Sequence, residues 1–306
     1  MSPSTLSWIW VPVALWAALA QTARNAAQRS LVAQAGTLGA TLARFLYGVP
    51  FAAAWVLALL AWTGSPAPAV TAAWLGWLLV GAVSQIAATA FLLAAMKERN
   101  FVIGVAYSKT DALQVALFAA LFLREWPAWT TMLAMGLATA GVVLLSLPRK
   151  PGALAAGQAW TGSAALWGLA SGAGFAMSAV GYRGAALELA QVSPWLTGAW
   201  GVLWAQVIQT LLLGGWLALR SAPSLRAIAS AWRVSTVAGA AGALASIGWF
   251  TAFALTTAAN VRTVGLAEVV FSYLVSHRLM REKLSRVETA GLLLVAVGPL
   301  AMFAGL

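Results

Sequence analysis

The sequence contains no cysteine and a single histidine, His277. Without thiols there is no disulfide, iron–sulfur cluster, thiolate metal site or cysteine nucleophile. One imidazole is a poor basis for a histidine-based metal site or a Ser-His-Asp triad, so neither a metal nor a cofactor is expected. Charge is scarce as well: Asp, Glu, Lys and Arg together make up 8% of the chain, where a soluble chain carries roughly 25%. That excludes a water-soluble globular domain, a disordered chain and a coiled coil, each of which needs charge. There is also no Gly-x4-Gly-Lys-Ser/Thr loop, so nothing in the chain points to direct nucleotide drive.

What is present is apolar. Of 306 residues, 62% are hydrophobic, and the mean hydropathy is +0.86. Crossing about 30 Å of hydrocarbon at 1.5 Å per residue takes about 20 apolar residues. Ten runs qualify, near 6–27, 36–62, 70–96, 101–122, 126–147, 160–182, 194–219, 231–257, 261–280 and 285–305. Between them lie turn formers and charge, such as Gly64-Ser65-Pro66-Ala67-Pro68, Lys97-Glu98-Arg99-Asn100 and Pro148-Arg149-Lys150-Pro151-Gly152. The runs are continuous rather than alternating, which favours helices over a spanning barrel. No Lys or Arg precedes the first run, so it reads as a spanning helix and not as a signal peptide.

The two halves repeat each other. Ala14-Leu15-Trp16 returns as Ala165-Leu166-Trp167, and Leu123-Arg124-Glu125 returns as Met280-Arg281-Glu282. Gly141 and Gly298 each follow their glutamate by sixteen residues, and on that register Asp111 falls opposite Glu268. Five helices per repeat is an odd number, so the halves, 1–150 and 151–306, cross the membrane in opposite senses. The expected fold is therefore all-α and polytopic, with ten transmembrane helices in two inverted five-helix repeats. Such repeats characteristically enclose a midplane site.

Several stretches resemble the ten-helix drug/metabolite transporter superfamily, in its EamA-like branch. They are Tyr107-Ser108-Lys109-Thr110-Asp111 with Ala119-Ala120-Leu121-Phe122-Leu123-Arg124-Glu125, and Glu268-Val269-Val270-Phe271 with Arg281-Glu282-Lys283-Leu284 and Glu288-Thr289-Ala290-Gly291; Arg44-Phe45 also fits. The resemblance implies a membrane transporter of small organic metabolites, often an amino-acid exporter, without naming the cargo. Small residues four apart, Gly168 with Gly172, Gly174 with Ser178 and Gly242 with Ser246, suit close helix contact in lipid.

Lys and Arg favour the cytoplasmic side of short loops. The loops after helices 1, 3, 5, 7 and 9 hold twelve such residues, while the opposite loops hold Arg124, Arg183 and Arg262. This places both termini outside, in a multi-pass protein of the cell's inner (plasma) membrane. The net charge of +11 is then a matter of anionic lipid rather than of nucleic acid. Tryptophans near helix ends, among them Trp8, Trp10, Trp62, Trp126, Trp129 and Trp232, read as interfacial anchors. Trp16, Trp77, Trp167, Trp200, Trp204 and Trp249 lie deeper.

A charge inside hydrocarbon costs roughly 2.5–3.5 kcal/mol even on a mild scale, so charged side chains within spans point to a site. Gln21, Arg24, Asn25 and Gln28 form a stripe on helix 1 by their spacing of three and four. Arg24 is read as nearing the end of its span, and Arg44 as lying near one surface, where snorkelling is the competing reading. Lys109 and Asp111, two apart, point in different directions and need partners on other helices. Tyr107, Asp111 and Gln114 share a face. Glu268 has the matching place in helix 9, with Tyr273 nearby.

The candidate substrate-binding residues are therefore Arg24, Asn25, Gln28, Arg44, Tyr107, Lys109, Gln114, Trp249 and Tyr273. Asp111 and Glu268 are candidate proton-coupling residues, because a desolvated carboxyl without a cation holds a proton and releases it when rehydrated. Glu125 and Glu282, beside Arg124 and Arg281, read as local loop anchors. The leading expectation is a secondary active transporter, not an enzyme, working as a monomer or homodimer on a small-molecule substrate in the lipid bilayer. Its competitors are an intramembrane enzyme acting on lipid head groups and a carrier of organic cations or drugs.

Overall fold

The structure is a computed structural model that describes residues 8–98, 105, 107–146, 162–279 and 286–302. Among these residues every regular element is a helix. They run α1 (Trp10–Leu46), α2 (Val49–Thr63), α3 (Ala72–Glu98), α4 (Asp111–Leu123), α5 (Trp129–Ser146), α6 (Ser163–Glu188), α7 (Pro194–Arg220), α8 (Ala222–Ser230), α9 (Trp232–Leu255), α10 (Ala258–Gly265), α11 (Ala267–Leu279) and α12 (Arg286–Ala301). Lipid cannot hydrogen-bond a backbone, so continuous helix is the form these apolar runs must take.

The first two membrane passes are nearly one helix. From Trp10 to Thr63 is 54 residues, more than twice what one crossing needs. Gly36 breaks it, with φ 71° and ψ 171°, a left-handed backbone that glycine adopts without a Cβ penalty. Beyond Gly36 the chain turns back, and Gln28 donates to the Ala40 carbonyl at 2.8 Å. The first pass therefore extends to residue 35, not 27. Residues 28–35, taken as a connector from composition, are helix because Ala and Leu among the polar residues sustain it. The linker after α7, expected as loop, carries the nine-residue helix α8. With α10 and α11 counted as one interrupted pass, ten membrane segments result.

The packing follows a two-fold pattern. The most extensive pairings are α1 with α9, α3 with α6 and α5 with α12. By pass number these join the first, with the start of the second, to the eighth, the third to the sixth and the fifth to the tenth. Exchanging the halves turns the first pair into the second and returns the third to itself, as an inverted repeat requires. At the fifth–tenth contact, a Cβ on Gly141 would lie 2.5 Å from the Gly291 carbonyl, and one on Gly298 would lie 2.8 Å from Ala138 Cβ. The two glycines at matching places in the halves thus serve the same interface. The boundary between the proposed halves at 150/151 lies outside the described residues.

Small residues permit the close contacts. Gly168 receives Tyr107, Gly172 receives Thr110, Gly174 receives Ala88, and Gly242 receives Arg44 and Arg24. Trp62, Trp126, Trp129 and Trp232 project outward, as expected of anchors. Trp10 does not: it is buried, because α1 packs along α9 from its first turns.

Candidate functional site

Passes four and nine are both interrupted at equivalent places. A turn at Lys109 and Thr110 precedes α4, and a turn at Leu266 separates α10 from α11. Asp111 and Glu268 then occupy the first turns of α4 and α11, where the positive end of a helix dipole favours a carboxylate. The continuous runs in the sequence hide both breaks.

The acids are paired across the halves. Lys109 forms an ion pair with Glu268, and Arg262 forms one with Asp111. Each carboxylate takes its cation from the other half. Lys109 and Asp111, two residues apart, do point to different partners, and both partners are on pass nine. Glu268 accepts two further bonds, from Gln21 Nε2 at 2.6 Å and from Asn25 Nδ2 at 2.7 Å.

Those amides relay outward. Asn25 Oδ1 accepts from Arg24 Nε at 3.1 Å and Nη2 at 2.5 Å. Gln21 Oε1 accepts from Arg24 Nη1 at 3.3 Å and from Trp249 Nε1 at 2.8 Å. Arg24 is only 1% exposed and sits mid-span, because the first pass continues to residue 35. The expectation that it neared a helix end, with snorkelling open to it, is corrected by that length.

Arg44 does not snorkel either, and no carboxylate pairs with it among the described residues. It is 1% exposed, donates from Nη1 to Thr89 Oγ1 at 3.0 Å, and has an unpartnered Nε among the described residues. Gln28, Lys109 and Trp249 are buried. Tyr107 is buried against Gly168, so it packs the approach to α4 onto α6. Gln114 is half-buried and donates to Thr110 Oγ1 at 3.2 Å. Tyr273 is half-buried on α11.

Arg262, expected in a loop, is 6% exposed within α10. Its guanidinium lies 5.5 Å from the Trp249 ring and 5.6 Å from the Phe175 ring, a cation–π arrangement between two aromatic faces. The misreading arose because Arg262 follows Asn260 at the seam between two apolar runs. Glu125, in the loop after α4, pairs with Arg183 of α6 at 2.8 Å, while Arg124, with a φ of 57°, caps α4. Glu282 and the side chain of His277 lie outside the described residues.

A second polar group escaped the sequence reading. Tyr182 donates to Gln85 Oε1 at 3.0 Å, and Gln209 Nε2 donates to Gln85 Oε1 at 2.9 Å and to the Ala82 carbonyl at 3.1 Å. Gln206, one turn from Gln209, is buried with both amide atoms unpartnered among the described residues. The available signal was mid-span glutamine in the runs at 70–96 and 194–219, which a search for charge passes over.

Residues 8–147 match the family model of the EamA-like transporter family. Among solved structures, one crystal structure superposes with a TM-score of 0.67 at 18% identity, covering 95% of this chain and 94% of that chain; at that identity the likeness is one of fold. No curated protein sequence matches the chain.

Proposed function

We propose, from the premise that residues 8–147 are of the EamA-like transporter family, that this multi-pass membrane protein is a secondary active transporter of small polar or zwitterionic metabolites. Amino acids are the first class to test, with export from the cell as the direction. The observation that carries this reading is the crossed pair of ion bridges, Lys109–Glu268 and Asp111–Arg262, at the breaks of passes four and nine. Interrupted helices at the junction of inverted repeats are where transporters hold cargo and coupling ions.

The cluster is occluded: Arg24, Asn25, Lys109, Asp111 and Glu268 are all buried. Cargo reaches it when one half rocks against the other and opens the α4–α11 contact to one side. Parting the halves removes Lys109 from Glu268 and Arg262 from Asp111. Each carboxyl then meets water or a proton in place of its cation, which would couple proton movement to the cycle. The organic-cation alternative is weaker here, because Arg262 already occupies the faces of Trp249 and Phe175.

The test is counterflow in proteoliposomes with an amino-acid panel, for the wild type, Asp111→Asn and Glu268→Gln, with folding checked by detergent melting. Loss of exchange in both folded variants is the expected result. Retained exchange in both would remove the coupling role, and chemical turnover of a lipid head group without solute movement would replace the transporter by an enzyme.

A further inference from the structure

Six charged side chains are buried among the described residues: Arg24, Arg44, Lys109, Arg262, Asp111 and Glu268. Four are cations and two are acids. The acids are matched to Lys109 and Arg262, so among the described residues Arg24 and Arg44 form no ion pair with a carboxylate. Among the described residues Arg24 donates to the neutral oxygens of Asn25 and Gln21, and Arg44 to the hydroxyl of Thr89. A guanidinium does not shed its proton in a protein, and a buried charge without a counter-ion is strongly unfavourable.

The two guanidiniums share a neighbourhood but not a pocket. A Cβ on Gly242 would lie 3.4 Å from Arg44 Cβ and 3.5 Å from Arg24 Cδ. On the Arg44 side the amide of Gln206 lies against Gly48, one turn further along the chain. Its nitrogen and Arg44 Nε are both donors without an acceptor among the described residues. On the Arg24 side, Arg29 follows Asn25 by one turn. It lines a cavity of about 410 Å³ together with Lys97, which lies two turns beyond Thr89 on α3. A basic mouth therefore lies in line with Asn25 and Thr89, the residues that hold the two buried arginines.

We propose that the cargo is a small organic anion with two negative groups, one met by Arg24 and the other by Arg44 and Gln206. The assignment rests on the transporter reading and, within its polar metabolites, replaces neutral zwitterions by compounds with two anionic groups, acidic amino acids among them. The forked donors of arginine fit carboxylate and phosphate oxygens alike, and a bound dianion neutralises the excess of two positive charges in the occluded state. A neutral zwitterion leaves both charges uncompensated, and a cation adds to them.

The experiment is counterflow of a proteoliposome panel: succinate as a dicarboxylate, glycerol 3-phosphate as a phosphate ester, alanine as a neutral zwitterion and lysine as a cation. Detergent melting with the same compounds is measured in parallel. Exchange of succinate or glycerol phosphate at least about tenfold better than alanine or lysine is expected, and the better of the two identifies the acidic group. In Arg44→Gln, half-saturation for that dianion rises about tenfold or more, with a smaller rise for singly charged lactate. Arg44→Lys keeps the charge and recovers part of the loss.

Alanine or lysine exchanging as well as the dianions overturns the proposal and leaves the transporter reading in place. Equal responses to succinate and lactate in Arg44→Gln overturn it too. Melting shifts with dianions but no exchange of any compound would keep the anion site and overturn transport.

Discussion

Asn25 donates its amide to Glu268 at 2.7 Å across a sequence separation of 243 residues. The bond joins the first pass to the ninth, and through Asn25 Oδ1 it links Glu268 to the guanidinium of Arg24. Glu268 is thus the node at which Lys109, Gln21 and Asn25 converge. A change there disturbs both halves at once.

Glu268→Gln strands Lys109 as a buried cation and turns one acceptor into a donor facing donors. The expected cost is about 3–5 kcal/mol, read as a lowered detergent melting temperature, together with loss of exchange. Combining Glu268→Leu with Lys109→Met removes both charges. Melting then recovers toward the wild type while exchange stays lost. A double variant as unstable as Glu268→Gln would show that the pair is not the source of the loss.

Arg262 and Asp111 form the reciprocal pair, and a double-mutant cycle isolates their coupling. Arg262→Met alone leaves Asp111 unpaired and also withdraws the cation held between Trp249 and Phe175. It is expected to destabilise by about 3–5 kcal/mol. Asp111→Leu in the same chain reduces that penalty. Additive effects in detergent melting would contradict a direct pairing.

Helix contact depends on particular glycines. A Cβ on Gly181 would sit 2.6 Å from the Gly81 nitrogen and 2.8 Å from the Trp77 carbonyl, both backbone atoms, whereas one on Gly136 meets nothing within 4 Å. Gly181→Ala should force α3 from α6 and cost about 1–3 kcal/mol. Gly136→Ala should be neutral or stabilise by about 0.4–1 kcal/mol. Melting curves of the two variants decide the matter, and equal behaviour would refute the packing argument.

Orientation can be read with single cysteines, since the chain has none of its own. Ser65 and Ser230 are exposed and lie after the second and seventh passes. With both termini outside, Ser65→Cys reacts with an impermeant maleimide in intact cells, and Ser230→Cys reacts only after lysis. The reverse pattern would place the termini in the cytoplasm.

The membrane class, the number of passes and the repeat were legible in the sequence, because each rests on a local property. A run of apolar residues must become a helix in lipid wherever it lies, and matching spacings such as Glu125 to Gly141 and Glu282 to Gly298 survive without knowledge of contacts. That Arg24, Arg44, Lys109, Asp111 and Glu268 lie within the helical runs was legible too, since each stands out as a costly charge in hydrocarbon wherever it points.

Which cation answers which acid was not legible. Lys109 stands two residues from Asp111 yet pairs with Glu268, and Arg262, at the edge of its run, turns inward to Asp111. Gly36 decided that Arg24 lies mid-span, and helix packing decided that Gln85, Tyr182 and Gln209 meet. Hydropathy is a sum over neighbours along the chain. Charge pairing depends on distances of a few ångströms between segments more than a hundred residues apart, and only the packed bundle sets those distances.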